Sequence, residues 1–355
     1  MIGTKYIGLD VHQATMSVAV MDSAGHLVME CALETKASTI LEFIEGMRGR
    51  LYVTFEEGTW AAWLYDLLKP HVTKLLVCDP RKNALLKSGN KSDRIDARKL
   101  AALLRAGLLS PVYHGEAGVR TLKELARSYL TLTRDVTRVM SRIKAVYRSW
   151  AIPCAGQRVY SPSYRSQWLE KLPDAGVRRR AEWLYTQLDQ LLPLRRQARQ
   201  ALLAESRKHP ANRCLQSIPS LGSIRAAILM AIIQTPHRFR TKRQLWAYSG
   251  LALETHSSGD YRLVAGQLQR SKKLSNTGGL NANHNHDLKY VFLSAAISSS
   301  VCPGPLREFY AGLLAKGARP SMARVTLARK IAAVSLILWK KGEQFDADKL
   351  KLQAA

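Results

Sequence analysis

Four carboxylates near the start of the chain are spaced for shared chemistry. Asp93 and Asp96 stand three apart, opening a run in which Ala97, Leu100, Leu103 and Leu104 recur at helical spacing. That spacing sets both carboxylates on one helix face. Two acids in a first turn also suit the positive end of a helix, so the pair gains meaning only if other carboxylates aim at the same place. Asp10 lies inside an apolar strand, Tyr6-Ile7-Gly8-Leu9-Asp10-Val11, where an unpaired charge is costly to bury and a metal ion is a reasonable partner. Glu56 directly follows the apolar run Leu51 to Phe55. Glu57 competes with it, and Asp79, ahead of Pro80, reads as a turn acid. Carboxylate-only ligation selects Mg²⁺ or Mn²⁺ over zinc. Two such ions can stabilise the attacking and leaving oxygens of a phosphodiester.

The elements that must position these acids follow from the pattern of residues 1–112. Strands are expected at Tyr6–Val11, Met16–Asp22 and His26–Leu33, with Asp22-Ser-Ala-Gly25 as a turn. A helix capped by Ser38 runs to Met47, and Leu51–Phe55 is a fourth strand. A helix bearing Trp60, Trp63, Leu64 and Leu67 precedes a strand at Leu75–Cys78. The order β-β-β-α-β-α-β-α is that of the α/β ribonuclease H-like fold. In that fold an acid on the central strand, one ending the fourth strand and those on a later helix meet at one edge.

Charge points to the partner. Lys and Arg number 54 against 27 Asp and Glu, a net charge of +27. Residues 1–110 carry 14 basic and 12 acidic side chains (+2), residues 111–209 carry 19 and 8 (+11), and residues 210–355 carry 21 and 7 (+14). A near-neutral head followed by two basic regions fits a polyanion, most simply nucleic acid. Five scattered cysteines without a C-x-x-C pair argue against a disulfide framework or a structural zinc. The apolar run Ile331 to Trp339 is too short to span a bilayer. A cytoplasmic protein with no membrane partner is the expectation.

In residues 113–208 the series Leu122, Leu125, Tyr129, Leu132, Val136, Val139, Ile143, Val146 and Trp150 keeps 3-4 spacing throughout. This is a heptad seam whose outer faces carry Arg127, Arg134, Arg138, Arg142 and Arg148. A second run, Val177 to Leu202, carries Arg195 in its seam and Pro193, expected to kink it. The two helices fold back on each other or pair with another subunit. The arm is a spacer hairpin, an oligomerisation and nucleic-acid-gripping element, or both. Residues 209–355 read as mainly α. Leu215-Gln-Ser-Ile-Pro-Ser-Leu-Gly222 ahead of an apolar helix looks like a helix-hairpin-helix element, whose turn offers N–H groups to a phosphate. A plain Pro/Gly turn is the alternative. His256 to Arg262 reads as a polar loop, and the tract on to Gly279 is likewise rich in Gly, Ser and Lys. His284 and His286 stand two apart on an expected helix and would face differently, which argues against a metal site.

Taken in order, Tyr-Ile-Gly-Leu-Asp10, Phe-Glu56-Glu-Gly-Thr and Asn-Lys-Ser-Asp93-Arg-Ile-Asp96-Ala-Arg carry a resemblance over nearly the full length. The Ser-Ile-Pro-Ser-Leu-Gly, Gly-Leu-Ala-Leu-Glu and Ser258-Gly259 segments continue it. The chain resembles DEDD-type transposases of the bacterial insertion-sequence family IS-one-ten. The resemblance implies a RuvC-like domain, a coiled-coil arm and a C-terminal transposase domain with a nucleophilic serine. It assigns Asp10, Glu56, Asp93 and Asp96 to the acidic tetrad and Ser258 to the nucleophile, with Ser257 beside it. It also implies an element-encoded RNA that bridges donor and target DNA. The expected function is that of a Mg²⁺-dependent DNA recombinase assembled as a dimer or tetramer through the coiled coil. The alternative is a RuvC-like, structure-selective nuclease using metal-bound water.

Overall fold

The computed structural model describes residues 3–82, 92–114, 119–256, 261–264, 267–270 and 276–351. The chain divides into two compact units, Met1–Gly115 and Glu116–Ala355.

In the first unit β1 (Thr4–Val11), β2 (Thr15–Met21), β3 (Leu27–Glu34), β4 (Arg50–Glu56) and β5 (Lys74–Cys78) form one sheet in the order β3-β2-β1-β4-β5. The β1–β2 and β2–β3 pairs are antiparallel, while β1–β4 and β4–β5 are parallel. Three helices intervene or follow: α1 (Ala37–Glu45), α2 (Ala61–Leu68) and α3 (Asp93–Ala106). This is the mixed five-stranded, ribonuclease H-like arrangement that the strand order predicts. One correction concerns α1. Lys36 occupies its N-cap without a side-chain bond, and Ser38 lies inside the helix.

Alternation along β1 sorts the two faces. Ile7 and Leu9 join Val18, Val20, Val53 and Phe55 in a core covered by Ile40 and Ile44 of α1 and Leu64 and Leu68 of α2. Tyr6, with Tyr52, Leu76 and Cys78, meets Leu100 and Leu104 of α3. Ala19 meets Ala97 and Ala101. Asp10 therefore belongs to the α3 face, at the C-terminal end of the central strand.

The second unit begins with α4 (Arg120–Arg148), followed by α5 (Arg165–Glu170) and α6 (Ala175–Ser206). The heptad seam of α4 packs antiparallel on α6 within the same chain. Val136, Val139, Ile143 and Val146 meet Ala181, Tyr185 and Leu188, while Leu122 and Ala126 share a separate core with Leu202. The seam is thus covered along this length without a second protomer, except that Trp150 is 42% exposed. Helix α6 continues through Pro193. All five arginines expected on the outer face of α4 are exposed. The Tyr185 hydroxyl donates to the Val159 carbonyl at 2.8 Å and lies 3.0 Å from the Tyr147 hydroxyl. Burial and the neighbouring Tyr147 raise the Tyr185 pKa. Tyr185→Phe leaves both partners short of a bond at a buried site. It should cost about 1–3 kcal/mol, read as a lower thermal midpoint by circular dichroism.

Beyond the arm come α7 (Ala211–Gln216), α8 (Ser223–Ile233) and α9 (Lys242–Tyr248), then α10 (His286–Val301), α11 (Pro305–Ala315), α12 (Pro320–Lys341) and α13 (Ala347–Lys351). Their core runs from Leu215 through Ala227, Phe292 and Ile331 to Leu336. The tract read as polar loop is not all loop. β6 (Leu253–His256) pairs with β9 (Asn276–Leu280), and β7 (Tyr261–Val264) pairs with β8 (Gln267–Arg270). Short alternations such as Arg-Leu-Val and Gln-Leu-Gln-Arg support pairing despite their polarity. Ser257 and Ser258 lie outside the described residues.

Candidate active site

Most of the Ser-Asp-Arg-Ile-Asp-Ala-Arg run has a definable task. Ser92 is the N-cap of α3, its hydroxyl accepting from the Ile95 N–H at 3.4 Å, which stops the helix there. Asp93 and Asp96 occupy the first turn. Ala97 presses on the sheet, and Arg98 forms an ion pair with Glu30 of β3, holding that carboxyl below the usual carboxylate range.

The close approach of α3 depends on Gly8. A Cβ at this position would lie 2.2 Å from the Ala97 carbonyl oxygen and 2.6 Å from the Ala101 N–H nitrogen. Small residues on both surfaces let the helix backbone rest on the strand. That places the first turn of α3 over Asp10, two residues past Gly8. Gly8→Ala should lift the helix, cost about 1–3 kcal/mol, and separate Asp93 from Asp10. Weaker Mn²⁺ binding, measured by electron paramagnetic resonance, would accompany the lower melting temperature.

Asp10, His12 and Asp93 each offer a ligand atom within 4.8 Å of the others. The His12 Nε2 lies 3.2 Å from Asp10 Oδ2 and 3.6 Å from Asp93 Oδ1. Burial raises the Asp10 pKa first, His12 opposes this, and the Asp93 and Asp96 charges raise it further. One oxygen of Asp96, Oδ1, is buried without a hydrogen-bond partner, and the Lys99 ammonium stands 3.9 Å from it. Crowded carboxylates with an unsatisfied buried oxygen fit a hard divalent cation.

Glu56 ends β4. Leu9 pairs with Phe55, so Asp10 and Glu56 are the next residues along parallel neighbouring strands. Glu57 has a different occupation. Its carboxylate lies 2.6 Å from Nε2 of His114, whose ring stacks on Tyr65 at 4.9 Å. Asp79 accepts from the Arg81 N–H at 3.0 Å, as a turn acid does. The rings of His284 and His286 lie 4.4 Å apart, though the spacing suggested divergence, because His284 precedes the helix that begins at His286. His284 Nδ1 lies 2.7 Å from the Asn281 carbonyl oxygen.

His12 escaped the sequence reading. A single histidine just beyond a strand carries no periodic signal. Its only clue is the two-residue offset that returns it to the side of Asp10.

A ribonuclease H-like sheet with carboxylates gathered at its central strand defines an enzyme of polynucleotide chemistry, and comparison with known proteins narrows the class. Residues 7–150 match the transposase family DEDD_Tnp_IS110, and residues 212–311 match the Transposase IS116/IS110/IS902 family. The transposase for insertion sequence element IS1111A from Coxiella burnetii (strain RSA 493 / Nine Mile phase I) is 21% identical over 278 residues. That alignment covers 77% of this chain and 75% of the relative. The chain belongs to the IS110 (IS-one-ten) family of transposases. It is a DNA strand-transferring enzyme, and its DEDD domain implies a divalent metal. Among the described residues no helix is long and apolar enough to cross a membrane.

Proposed function

We propose that the protein mobilises its own insertion sequence by cutting and rejoining DNA with two sets of residues. Asp10, Glu56, Asp93 and Asp96 hold Mg²⁺ or Mn²⁺, and Ser258 is the nucleophile. The observation that carries this reading is the convergence of Asp10 and Asp93 beneath the first turn of α3. A divalent cation held there supplies Lewis-acid polarisation of the scissile phosphate. The Ser258 hydroxyl loses its proton as Oγ attacks phosphorus, and the departing strand oxygen takes up a proton. One phosphodiester bond is exchanged for a phosphoserine bond, so a hydroxyl on a second DNA end can reverse the exchange and reseal.

The division of labour follows residues 1–112 as metal domain, 113–208 as helical arm and 209–355 as the serine-bearing transposase domain. An element-encoded bridge RNA pairs donor with target, supported by the charges of +11 and +14 in the last two regions. The exposed arginines of α4 suit either nucleic acid. Self-association into a dimer or tetramer would use surfaces left outside the internal α4–α6 seam. The substrate places the work in the cytoplasm.

Incubation with labelled DNA carrying an element end tests the reading. Metal-dependent strand breakage with a detergent-resistant protein–DNA adduct is expected. Breakage without an adduct would instead favour the water-using nuclease, and neither product would leave a binding protein without catalysis.

A further inference from the structure

In the second unit a cavity of about 510 Å³ opens between the turn before α8 and the turn before α11. Its lining includes Ser220, Gly222, Arg225, Ser299, Gly304 and Arg307, with no carboxylate among the described residues. Gly222 and Gly304 are the N-caps of these two helices, and neither offers a side chain to the free N–H groups behind it. At α8 those groups give the helix start a partial positive charge, whereas α11 opens on Pro305, which has no N–H, and carries Glu308 in its first turn. Ser220, at φ 67°, turns the chain ahead of α8.

Two further observations separate this cavity from an ordinary helix end. Arg225 is fixed by three bonds: Nε to the Ser294 hydroxyl at 3.0 Å, one terminal nitrogen to the Ser220 carbonyl at 2.8 Å, and the other to the Ser298 hydroxyl at 3.2 Å. Its guanidinium is therefore preorganised, with N–H groups to spare. Ser299 is only 2% exposed, yet its hydroxyl has no hydrogen-bond partner. On the same helix Ser294, Ser298 and Ser300 all donate to carbonyls one turn back. A buried hydroxyl left unpaired beside a cavity calls for an acceptor from outside.

We propose that this cavity seats a nucleic-acid backbone phosphate, with Arg225, Arg307, the Ser299 hydroxyl and the first N–H groups of α8 as donors. Cation, hydroxyl and helix-end amides are the groups that bind phosphate oxygens. The volume exceeds what a bare inorganic ion fills and suits a sugar-phosphate unit. The inference rests on the DNA-handling reading above, but its contacts are independent of the acidic edge.

The test uses full-length protein and two probes, a DNA duplex and an RNA hairpin, with affinity measured by fluorescence anisotropy across a salt series. Arg307→Gln should weaken binding and lower the slope of log K against log salt by about 1. Ser299→Ala removes a neutral donor, so it should weaken binding roughly fivefold without altering that slope. The probe that responds identifies the source of the phosphate. A third readout needs no variant. Cys302 is exposed and lines the cavity, so a saturating amount of the bound probe should slow its reaction with N-ethylmaleimide. Unchanged affinity of both variants for both probes, or an unchanged Cys302 rate, overturns the proposal. Strand breakage by the wild type is scored separately, so an empty phosphate seat and a failed transposase reading give different results.

Discussion

Asp93→Asn protein should break no DNA strand while binding nucleic acid nearly as well as the wild type. The Asp93 carboxylate shares a point in space with Asp10 and His12, and its amide replacement removes the charge that a hard cation needs. Loss of a preorganised electrostatic group at such a centre costs on the order of 10³-fold in rate or more. Binding draws on other residues, since the +11 and +14 regions lie beyond position 110. Affinity should therefore fall steeply with added salt in both proteins alike. The fold should also tolerate the change: Asp93 is 62% exposed at its side chain, and the Ser92 cap remains. Full cleavage by purified Asp93→Asn protein, in a preparation free of wild type, would remove the metal-site assignment.

Ser258→Ala should abolish the covalent protein–DNA adduct, and Ser257→Ala should leave it. A hydroxyl is the attacking group in this scheme, and a methyl group cannot replace it. On a denaturing gel, labelled DNA attached to protein migrates as a slow band. The band should be present with wild type and Ser257→Ala and absent with Ser258→Ala. Its survival in Ser258→Ala would shift the nucleophile elsewhere. If instead strands break and no protein forms the band, water is the nucleophile. Because Asp93 and Ser258 belong to separate parts of the reaction scheme, their two failures should look different. Asp93→Asn lacks both breakage and adduct, whereas any residual hydrolysis in Ser258→Ala would yield free ends.

The first unit was legible because its determinants are local. Alternating apolar strands, short turns and the strand-strand-strand-helix order restrict the sheet to few topologies, and the observed order β3-β2-β1-β4-β5 is among them. The arm was legible for a similar reason: a 3-4 repeat requires a partner helix. What the repeat leaves open is whose helix that is. Val139 and Ile143 find Tyr185 and Leu188 of their own chain, a choice set by the returning connection between α4 and α6. The paired strands within residues 253–280 were missed because short polar alternations in a Gly- and Ser-rich tract barely differ from turns.

The sequence by itself determined which acids were available and the reach of each. Asp93 and Asp96 share a helix face by helical geometry alone, and Asp10 lies opposite Ile7 and Leu9 by strand alternation. Only tertiary structure decided what those acids meet. Gly8 and Ala97 belong to elements nearly ninety residues apart, yet their missing bulk sets the distance between helix and sheet, and so brings Asp93 to Asp10. The same packing draws in His12, commits Glu57 to His114 and ties Arg98 to Glu30. Such pairings join residues with no regular separation along the chain. They exist because a close-packed interior leaves each side chain few places to go.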